Sequence, residues 1–291
     1  MDTTLTTRDT AVSDFKYFYY EPSIAAAIVF IVLFGLATLA HLFQMFKTRT
    51  WFMLPFVIGA IFETVGYIGR AICATESPGP YSQAPYIVQA VLLLVAPALF
   101  AASIYMELAR IVHMVEADRA LFIRRTWLTK IFVAGDVLSF LMQASGAGLL
   151  ASRNAQMIDT GNNIVVGGLF VQLIFFGLFV LAAALFHIRT LKAPTPLCLE
   201  RPWQKHLTGL YIVSTLILIR SVVRVVEYLQ GYSGYIMAHE VFLYVFDASV
   251  MFIAVVSMNW IHPGEVARYV REQDKVKQNE NGAIPMNEAS V

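Results

Sequence analysis

Charged and hydrogen-bonding side chains recur at helical spacing inside long apolar stretches of this 291-residue chain. Within four of these stretches the polar groups lie three, four or seven residues apart, which places them on one face of a helix. A charged side chain near the centre of a bilayer costs about 2.5 to 3.5 kcal/mol on insertion scales, so such groups normally face a bundle interior or a water-filled cavity. We therefore expect four polar stripes that face one another and form a binding site. The candidate site residues are Glu63, Tyr67 and Arg70 in the second stretch, Asp136 and Gln143 in the fourth, Arg220, Arg224 and Glu227 in the sixth, and Glu240, Tyr244 and Asp247 in the seventh.

These candidate residues contain more acids than bases. The stretches run alternately outward and inward, which brings the charges together in the outer half of the membrane. Five of the eight charged side chains are acids and three are arginines. The surplus of two acids predicts either protonated carboxyl groups or a site that accepts a cation. The alternative is a set of structural ion pairs between helices, with no ligand; polar contacts of that kind are often worth only about 0.6 kcal/mol in membranes.

The elements that position these residues follow from composition. Apolar residues make up 58% of the chain and charged residues 14%, whereas soluble domains carry about 25% charged residues. The apolar residues arrive in blocks of about 20, the length that crosses a hydrocarbon core of roughly 30 Å. The sequence therefore predicts an all-α, polytopic membrane protein with a seven-transmembrane-helix bundle, in which Pro97 kinks the third helix. The predicted spans are Pro22 to Phe46, Trp51 to Ile72, Pro85 to Val112, Trp127 to Ala151, Ile164 to Ile188, Leu207 to Leu229, and Ile236 to Ile261.

The distribution of lysine and arginine predicts the orientation of the bundle. Thirteen of these residues fall on one side of the predicted spans and three, Arg8, Lys16 and Arg153, on the other. Positively charged loops stay in the cytoplasm, so we expect the N-terminus outside and the C-terminus inside. The expected organisation is an extracellular segment over 1–21, a membrane domain over 22–262 and a disordered cytoplasmic tail over 263–291, whose composition is rich in Glu, Asn, Gln and Lys.

Several function classes lack support in the sequence. The net charge of +1 does not indicate a protein that binds nucleic acid. The sequence contains no glycine-rich phosphate-binding loop of the kind found in ATP-driven pumps. A zinc hydrolase would need three converging ligands, commonly with a pair of histidines on one helix. No such pair occurs, although His41, His187 and His262 could meet at the inner end of the bundle. We expect no metal and no cofactor, and an intramembrane metal-dependent lipid hydrolase stays open as an alternative.

Six segments of the chain carry a resemblance to a known family. The segments read FETVGYIGR at 62–70, APALFAASIYM at 96–106, GDVLSFLMQ at 135–143, IRSVVRVVEY at 219–228, HEVFLYVFDA at 239–248, and HPG at 262–264. In this order along the spans they resemble the motifs of the fungal RTA-like family of lipid-translocating exporters, and Tyr20-Glu21-Pro22-Ser23 is similar to the opening of that family. The candidate charged residues fall on charged positions of these motifs.

The resemblance implies a function in resistance to toxic amphiphiles. Members of the family are associated with an aminosterol, with sphingoid bases, and with porphyrin and heme movement. Translocation of amphiphilic lipids is therefore the implied activity, with membrane lipids and an amphiphilic small molecule as partners, no nucleic acid and no enzymatic reaction. We expect a plasma-membrane protein, with an internal membrane as the alternative. A seven-span receptor is the other functional alternative, because its topology is the same and Glu107 and Arg110 lie at the inner end of span three.

Overall fold

The computed structural model describes residues 18, 20–77, 79, 81–121, 123–150, 155–231 and 234–282. Three parts of the predictions lie outside these residues. They are most of the segment over 1–21, the predicted end of span four at Ala151, and the tail over 283–291.

Within the described residues, seven helices are long and apolar enough to cross a membrane, which confirms the predicted all-α bundle. The chain is an integral, multi-pass membrane protein. Most boundaries lie within a few residues of the predicted ones; span five is longer, and span seven begins at Glu240 because 235–238 form a turn. The spanning helices are α1 (Ile24–Thr48), α2 (Leu54–Thr75), α3 (Gln83–Met114), α4 (Arg125–Leu150), α5 (Ala155–Lys192), α7 (Trp203–Leu229) and α8 (Glu240–Trp260), with a short α6 (Pro196–Glu200) before α7 and α9 (Gly264–Gly282) after α8.

The first spanning helix has a recognisable start and end. Before α1, the Ser23 hydroxyl accepts a hydrogen bond from the Ala26 amide at 3.4 Å, the usual arrangement of an N-terminal cap. After α1, Arg49 adopts a left-handed conformation with φ 55°, and its amide donates to the Met45 carbonyl. These caps mark the two ends of the helix. We call the end of the bundle at Ser23 outer and the end at Arg49 inner, following the predicted orientation.

Helices α2 and α3 approach closely through glycine. A Cβ atom on Gly66 would lie 2.7 Å from the Leu93 side chain, and one on Gly69 would lie 2.9 Å from the Pro85 carbonyl oxygen. Small residues let membrane helices pack at short range, where dispersion and polar contacts replace the hydrophobic effect. The close approach brings the polar face of α2 to the centre of the bundle.

Pro97 leaves one carbonyl of α3 without its helical donor, because proline has no amide hydrogen to offer the residue four positions earlier. That residue is Leu93, and its carbonyl accepts a hydrogen bond from Arg220 Nη2 of α7 at 2.8 Å. A neighbouring helix therefore satisfies the freed group, as membrane bundles require.

The prediction of a disordered tail was wrong for Gly264–Gly282, which form α9. Val266, Ala267 and Val270 of this helix are buried against the inner ends of the spanning helices. Arg271 donates to the Thr48 and Arg49 carbonyls, each at 3.1 Å, and so satisfies groups left open at the end of α1. The composition of this segment is polar overall, so its short apolar stripe did not predict a helix. The stripe packs on a surface that exists only once the spanning helices have assembled.

Ion pairs attach the rest of α9 to two other helices. Near α3, Lys277 lies 2.7 Å from Glu116 and Asp274 lies 3.0 Å from His113. At the start of α7, Glu265 lies 3.1 Å from Lys205. Hydrogen bonds from Lys277 and then Gln273 hold the pKa of Glu116 below its usual range. The contacts connect α9 to the inner ends of α1, α3 and α7.

Candidate functional site

Arg70 joins three helices at the outer end of the bundle. Its side chain is fully buried, and Nη2 donates to Glu240 Oε1 at 2.6 Å and to the Tyr20 hydroxyl at 2.9 Å. Its Nε donates to the Tyr244 hydroxyl at 3.0 Å. The Glu240 carboxylate also accepts the Ser23 amide at 3.0 and 3.1 Å. One carboxylate therefore links the start of α1 to α2 and α8, and both of its charge-assisted contacts are made in a buried site.

Arg220 forms a second link deeper in the bundle. Its Nε pairs with Asp247 Oδ1 of α8, while Nη2 holds the Leu93 carbonyl of α3. The predicted polar face of α7 therefore meets an acid of a neighbouring helix at Arg220. At Arg224 it does not, because this side chain pairs with Glu227 of its own helix at 3.1 Å.

Helix α8 contains a π-helical segment, Leu243–Ser249, that carries Tyr244 and Asp247. The Ser249 hydroxyl donates to the Tyr244 carbonyl five residues earlier at 2.8 Å. Such turns occur frequently at functional sites, since they rotate the following side chains out of the regular α-helical register. We expected a regular helix here, and the periodicity of the sequence gives no sign of the π turn.

Glu63 lies beneath these pairs and has no hydrogen-bond or ion-pair partner among the described residues. Its side chain is 1% exposed, and neither carboxyl oxygen makes a hydrogen bond. Arg220 and Asp247 lie within electrostatic range of it. The Tyr67 hydroxyl is also unpaired, and its ring stacks on Phe34 of α1 with centroids 5.7 Å apart.

Asp136 and Gln143 do not join the cluster, so the prediction of four facing stripes was wrong for α4. The Gln143 amide donates to Ser139 at 2.7 Å and to Gln172 of α5 at 3.1 Å. Ser139 in turn donates to the Gly168 carbonyl at 2.8 Å. The small Gly168 lets α4 pack tightly on α5, which turns this polar face away from α2, α7 and α8.

Asp136 is a second buried acid that forms no ion pair within the described residues. It is 5% exposed and interacts with the Tyr105 side chain of α3. The predicted surplus of two acids therefore corresponds to Glu63 and Asp136. Glu240 and Asp247 are each paired with an arginine.

A cavity of about 40 Å³ opens beside the ion pairs, between α7 and α8. Helix α7 packs closely on Val250–Trp260 of α8 and touches the outer half of α8 in fewer places. The volume suits a few water molecules or a small polar group, since one water needs about 10 to 15 Å³ by this measure. The lining residues are Tyr20, Arg220, Val223, Arg224, Glu227, Ile236, Met237, His239, Phe242, Leu243, Phe246 and Asp247.

Tyr20 and Ser23 belong to the site but were not predicted from helical spacing. Tyr20 binds Arg70 and lines the cavity, while Ser23 binds Glu240. Both belong to the four-residue segment before α1 that resembles the opening of the family. That resemblance was the feature of the sequence that could have identified them. Helical spacing could not reveal them, because they precede the first helix.

The three histidines considered for a metal site do not meet. The His41 and His262 rings lie 6.5 Å apart, whereas His187 lies against Trp203 at 5.5 Å and Tyr211 at 5.8 Å. Among the residues described, no group of three or more His, Cys, Asp or Glu side chains is arranged to hold a metal ion. The hydrolase alternative therefore has no support from the geometry.

The inner end of span three does not support the receptor alternative. Glu107 is buried and one of its carboxyl oxygens has no partner. Arg110 lies 4.3 Å from the centre of the Phe52 ring. The two residues form no ion pair within the described part of the chain.

Comparisons with known proteins give a consistent family assignment. The family model described as RTA1 like protein matches residues 56–269. Protoporphyrin uptake protein 1 of Saccharomyces cerevisiae is 39% identical over 86% of this chain and 93% of its own length. Probable lipid transporter atnI of Emericella nidulans is 31% identical over 85% of this chain and 67% of its own.

A more distant relative is similar over the same region. The Sphingoid long-chain base transporter RSB1 of Saccharomyces cerevisiae is 24% identical over 84% of this chain and 72% of its own length. No solved structure matches the chain. Because the family model covers well over half of the sequence, in a range that includes the paired residues of α2, α7 and α8, the chain belongs to the RTA1-like protein family.

Proposed function

We propose that this protein moves amphiphilic lipids across the membrane, with the cavity between α7 and α8 as the site for the polar head group. The observation that carries the proposal is a set of ion pairs lining a partly open cavity inside a membrane bundle. Charged residues inside spans normally mark a substrate or ion pathway. Relatives named for protoporphyrin uptake, lipid transport and sphingoid-base transport support the same activity.

The two sides of the cavity suit the two parts of an amphiphile. Arg220–Asp247 and Arg224–Glu227 supply charged hydrogen-bonding groups. Phe242 and Phe246 of α8 supply an apolar wall, with their rings stacked 6.2 Å apart. A head group would enter between the pairs while its chain stayed beside α8 in the lipid. Since each acid facing the cavity already has an arginine, a binding head group must displace one partner of a pair.

Flux through reconstituted protein tests this proposal. We would load liposomes with a labelled sphingoid base and follow its movement between leaflets. Glu227→Gln should reduce the flux about tenfold or more, because it removes the anionic half of a cavity pair, to which an ammonium head group would bind. Glu200→Gln, the same change at an exposed position, should leave it unchanged.

The same assay separates the alternatives. Label that crosses intact indicates translocation, label recovered as a cleaved product indicates a hydrolase, and label that stays in place indicates a receptor. If Glu227→Gln carried the base as fast as wild type at equal abundance, the cavity would not be the head-group site.

A further inference from the structure

Glu63 is the exception among the acids around the cavity. Glu227, Glu240 and Asp247 each pair with an arginine, whereas both oxygens of Glu63 are unpaired and its side chain is buried. The cavity lining does not include Glu63. It therefore lies one layer below the head-group site, behind the Arg220–Asp247 pair.

The surroundings of Glu63 contain few titratable groups. Arg220 of α7 and Asp247 of α8 act on it electrostatically, and so does Tyr67 of α2 itself. The other two helices that pack against this part of α2 present apolar side chains, Phe34 of α1 to the Tyr67 ring and Leu93 of α3 to Gly66. The one cation near Glu63 in this set is thus Arg220, which is already engaged by Asp247.

Charge balance decides the state of Glu63. The three arginines of the cluster, Arg70, Arg220 and Arg224, are matched by three carboxylates. An ionised Glu63 would add an uncompensated charge in an environment of low dielectric, where unpaired ions are strongly disfavoured. A metal ion is a poor compensator, because hard cations require several oxygen ligands, and among the described residues no group of three or more His, Cys, Asp or Glu side chains is arranged to hold a metal ion.

We propose that Glu63 is a proton-binding site whose proton is exchanged for the cationic head group of an amine-bearing amphiphile. The inference rests on the proposed function and adds a substrate class and a coupling ion to it. The ammonium group enters the cavity and pairs with Asp247, which releases Arg220 Nε. Arg220 then turns toward Glu63 and favours its carboxylate, while the Leu93 carbonyl keeps hold of Nη2.

The exchange conserves charge at each step. The O–H bond of the Glu63 carboxyl group breaks, its electron pair stays on the carboxylate, and the proton leaves to solvent water. One positive charge enters with the ammonium and one leaves with the proton, so the buried cluster stays neutral. Return of the proton to Glu63 restores the Arg220–Asp247 pair and expels the amine.

Proton release on binding tests the exchange. Purified protein in weakly buffered detergent solution, with a pH-sensitive dye, would be titrated with sphingosine as the amine and with its N-acetylated, uncharged form as the control. We expect the wild type to release one proton for each sphingosine bound and none for the acetylated form. Glu63→Gln should bind sphingosine more weakly and release no proton, because nothing then balances the charge of the bound ammonium. Asp136→Asn, a change in the other buried acid that lacks an arginine partner, should release the proton as wild type does.

Flux and infrared measurements distinguish a failure of the proton exchange from a failure of the translocation proposal. In liposomes, a pH gradient should drive sphingosine movement by the wild type but not by Glu63→Gln, and the infrared absorption of protonated carboxyl groups should fall by the contribution of one group in that variant. If wild type moves sphingosine without proton release, or if Glu63→Gln leaves this absorption unchanged, the exchange fails and the translocation proposal stands. If wild type moves no amphiphile under any gradient, the proposed function fails and the exchange fails with it.

Discussion

Arg70 and Arg220 each satisfy groups from more than one neighbouring helix. Arg220 reaches Asp247 of α8 and the Leu93 carbonyl that Pro97 leaves open on α3. Arg70 reaches Glu240 of α8 and Tyr20 before α1. Removing one side of a buried pair strands the other side, which generally costs more than the pair itself contributes.

Arg220→Met should therefore lower the stability of the bundle by about 3 to 5 kcal/mol, the usual loss when one partner of a buried pair is removed. Arg119→Met, at an exposed position, should cost little. Thermal unfolding in detergent, followed by size-exclusion chromatography, measures both. Equal unfolding temperatures for the two variants would mean that the Arg220 contacts contribute nothing to folding.

Neutralising two different acids should have opposite results. Glu240→Gln removes the charge that balances Arg70 and weakens the contact with Ser23, so we expect a loss of stability of about 2 kcal/mol or more. Glu63→Gln replaces an unpaired carboxyl group with a neutral group of similar shape and should leave the unfolding temperature unchanged or raise it. The reverse order would contradict the assignment of paired and unpaired acids.

Which acids are paired could not be read from the sequence. Helical spacing placed the polar residues of α2, α7 and α8 on single faces, and the count of charges predicted two surplus acids. It did not identify Glu63 and Asp136 as those acids, because a sum of charges carries no information on distances. The Arg220–Asp247 contact was within reach of the sequence, since both residues face the interior at similar depth.

At the scale of elements, the contact between α2 and α3 depends on glycine. A Cβ on Gly69 would meet the Pro85 backbone oxygen at 2.9 Å, and backbone cannot yield as a flexible side chain can. Gly69→Ala should therefore destabilise the protein by about 1 to 3 kcal/mol. In Gly177→Ala nothing lies within 4 Å of the added atom, so that variant should be neutral or slightly more stable, as alanine favours helix. Differential scanning fluorimetry would compare them, and equal destabilisation would refute the close approach.

The docking of α9 should weaken as the pH falls. Burial, and next the nearby His206, lower the pKa of His262 from 6.5 to about 4, so the docked state holds this ring neutral. Between pH 6.5 and about 4 the undocked state binds the proton first, and docking is lost progressively. Glu116 and Glu265 act in the same direction at lower pH, because hydrogen bonds from Lys277 and Lys205 lower their pKa values.

Hydrogen exchange of α9 in lipid nanodiscs measures this effect. Protection of its amides should fall between pH 6.5 and 4 in the wild type, after correction for the intrinsic exchange rate. His239→Gln, at the opposite end of the bundle, should follow the wild-type curve. A flat protection profile would show that His262 does not control docking.

At the scale of the whole molecule, composition predicts the seven spans and the family motifs predict the polar positions. The α9 helix and the turn of α4 toward α5 were not predictable, because both depend on surfaces that exist only after the spans have packed. The orientation stays a prediction based on thirteen positively charged residues against three. Epitope tags at both ends, tested with protease on intact cells, should show an accessible N-terminus and a protected C-terminus. Two tags on the same side would contradict it, and a lack of surface signal would favour an internal membrane.

The pairing of every arginine in the outer cluster with a carboxylate has an electrical consequence. A membrane potential does work on moving charge, about 2.3 kcal/mol per elementary charge per 100 mV, but it does almost none on a neutral pair that moves together. The proposed exchange of one ammonium for one proton also leaves the net charge of the cluster unchanged, so a full cycle should carry no net current. The protein would run at the same rate in a strongly polarised membrane as in a depolarised one, provided that the pH on the two sides is held constant.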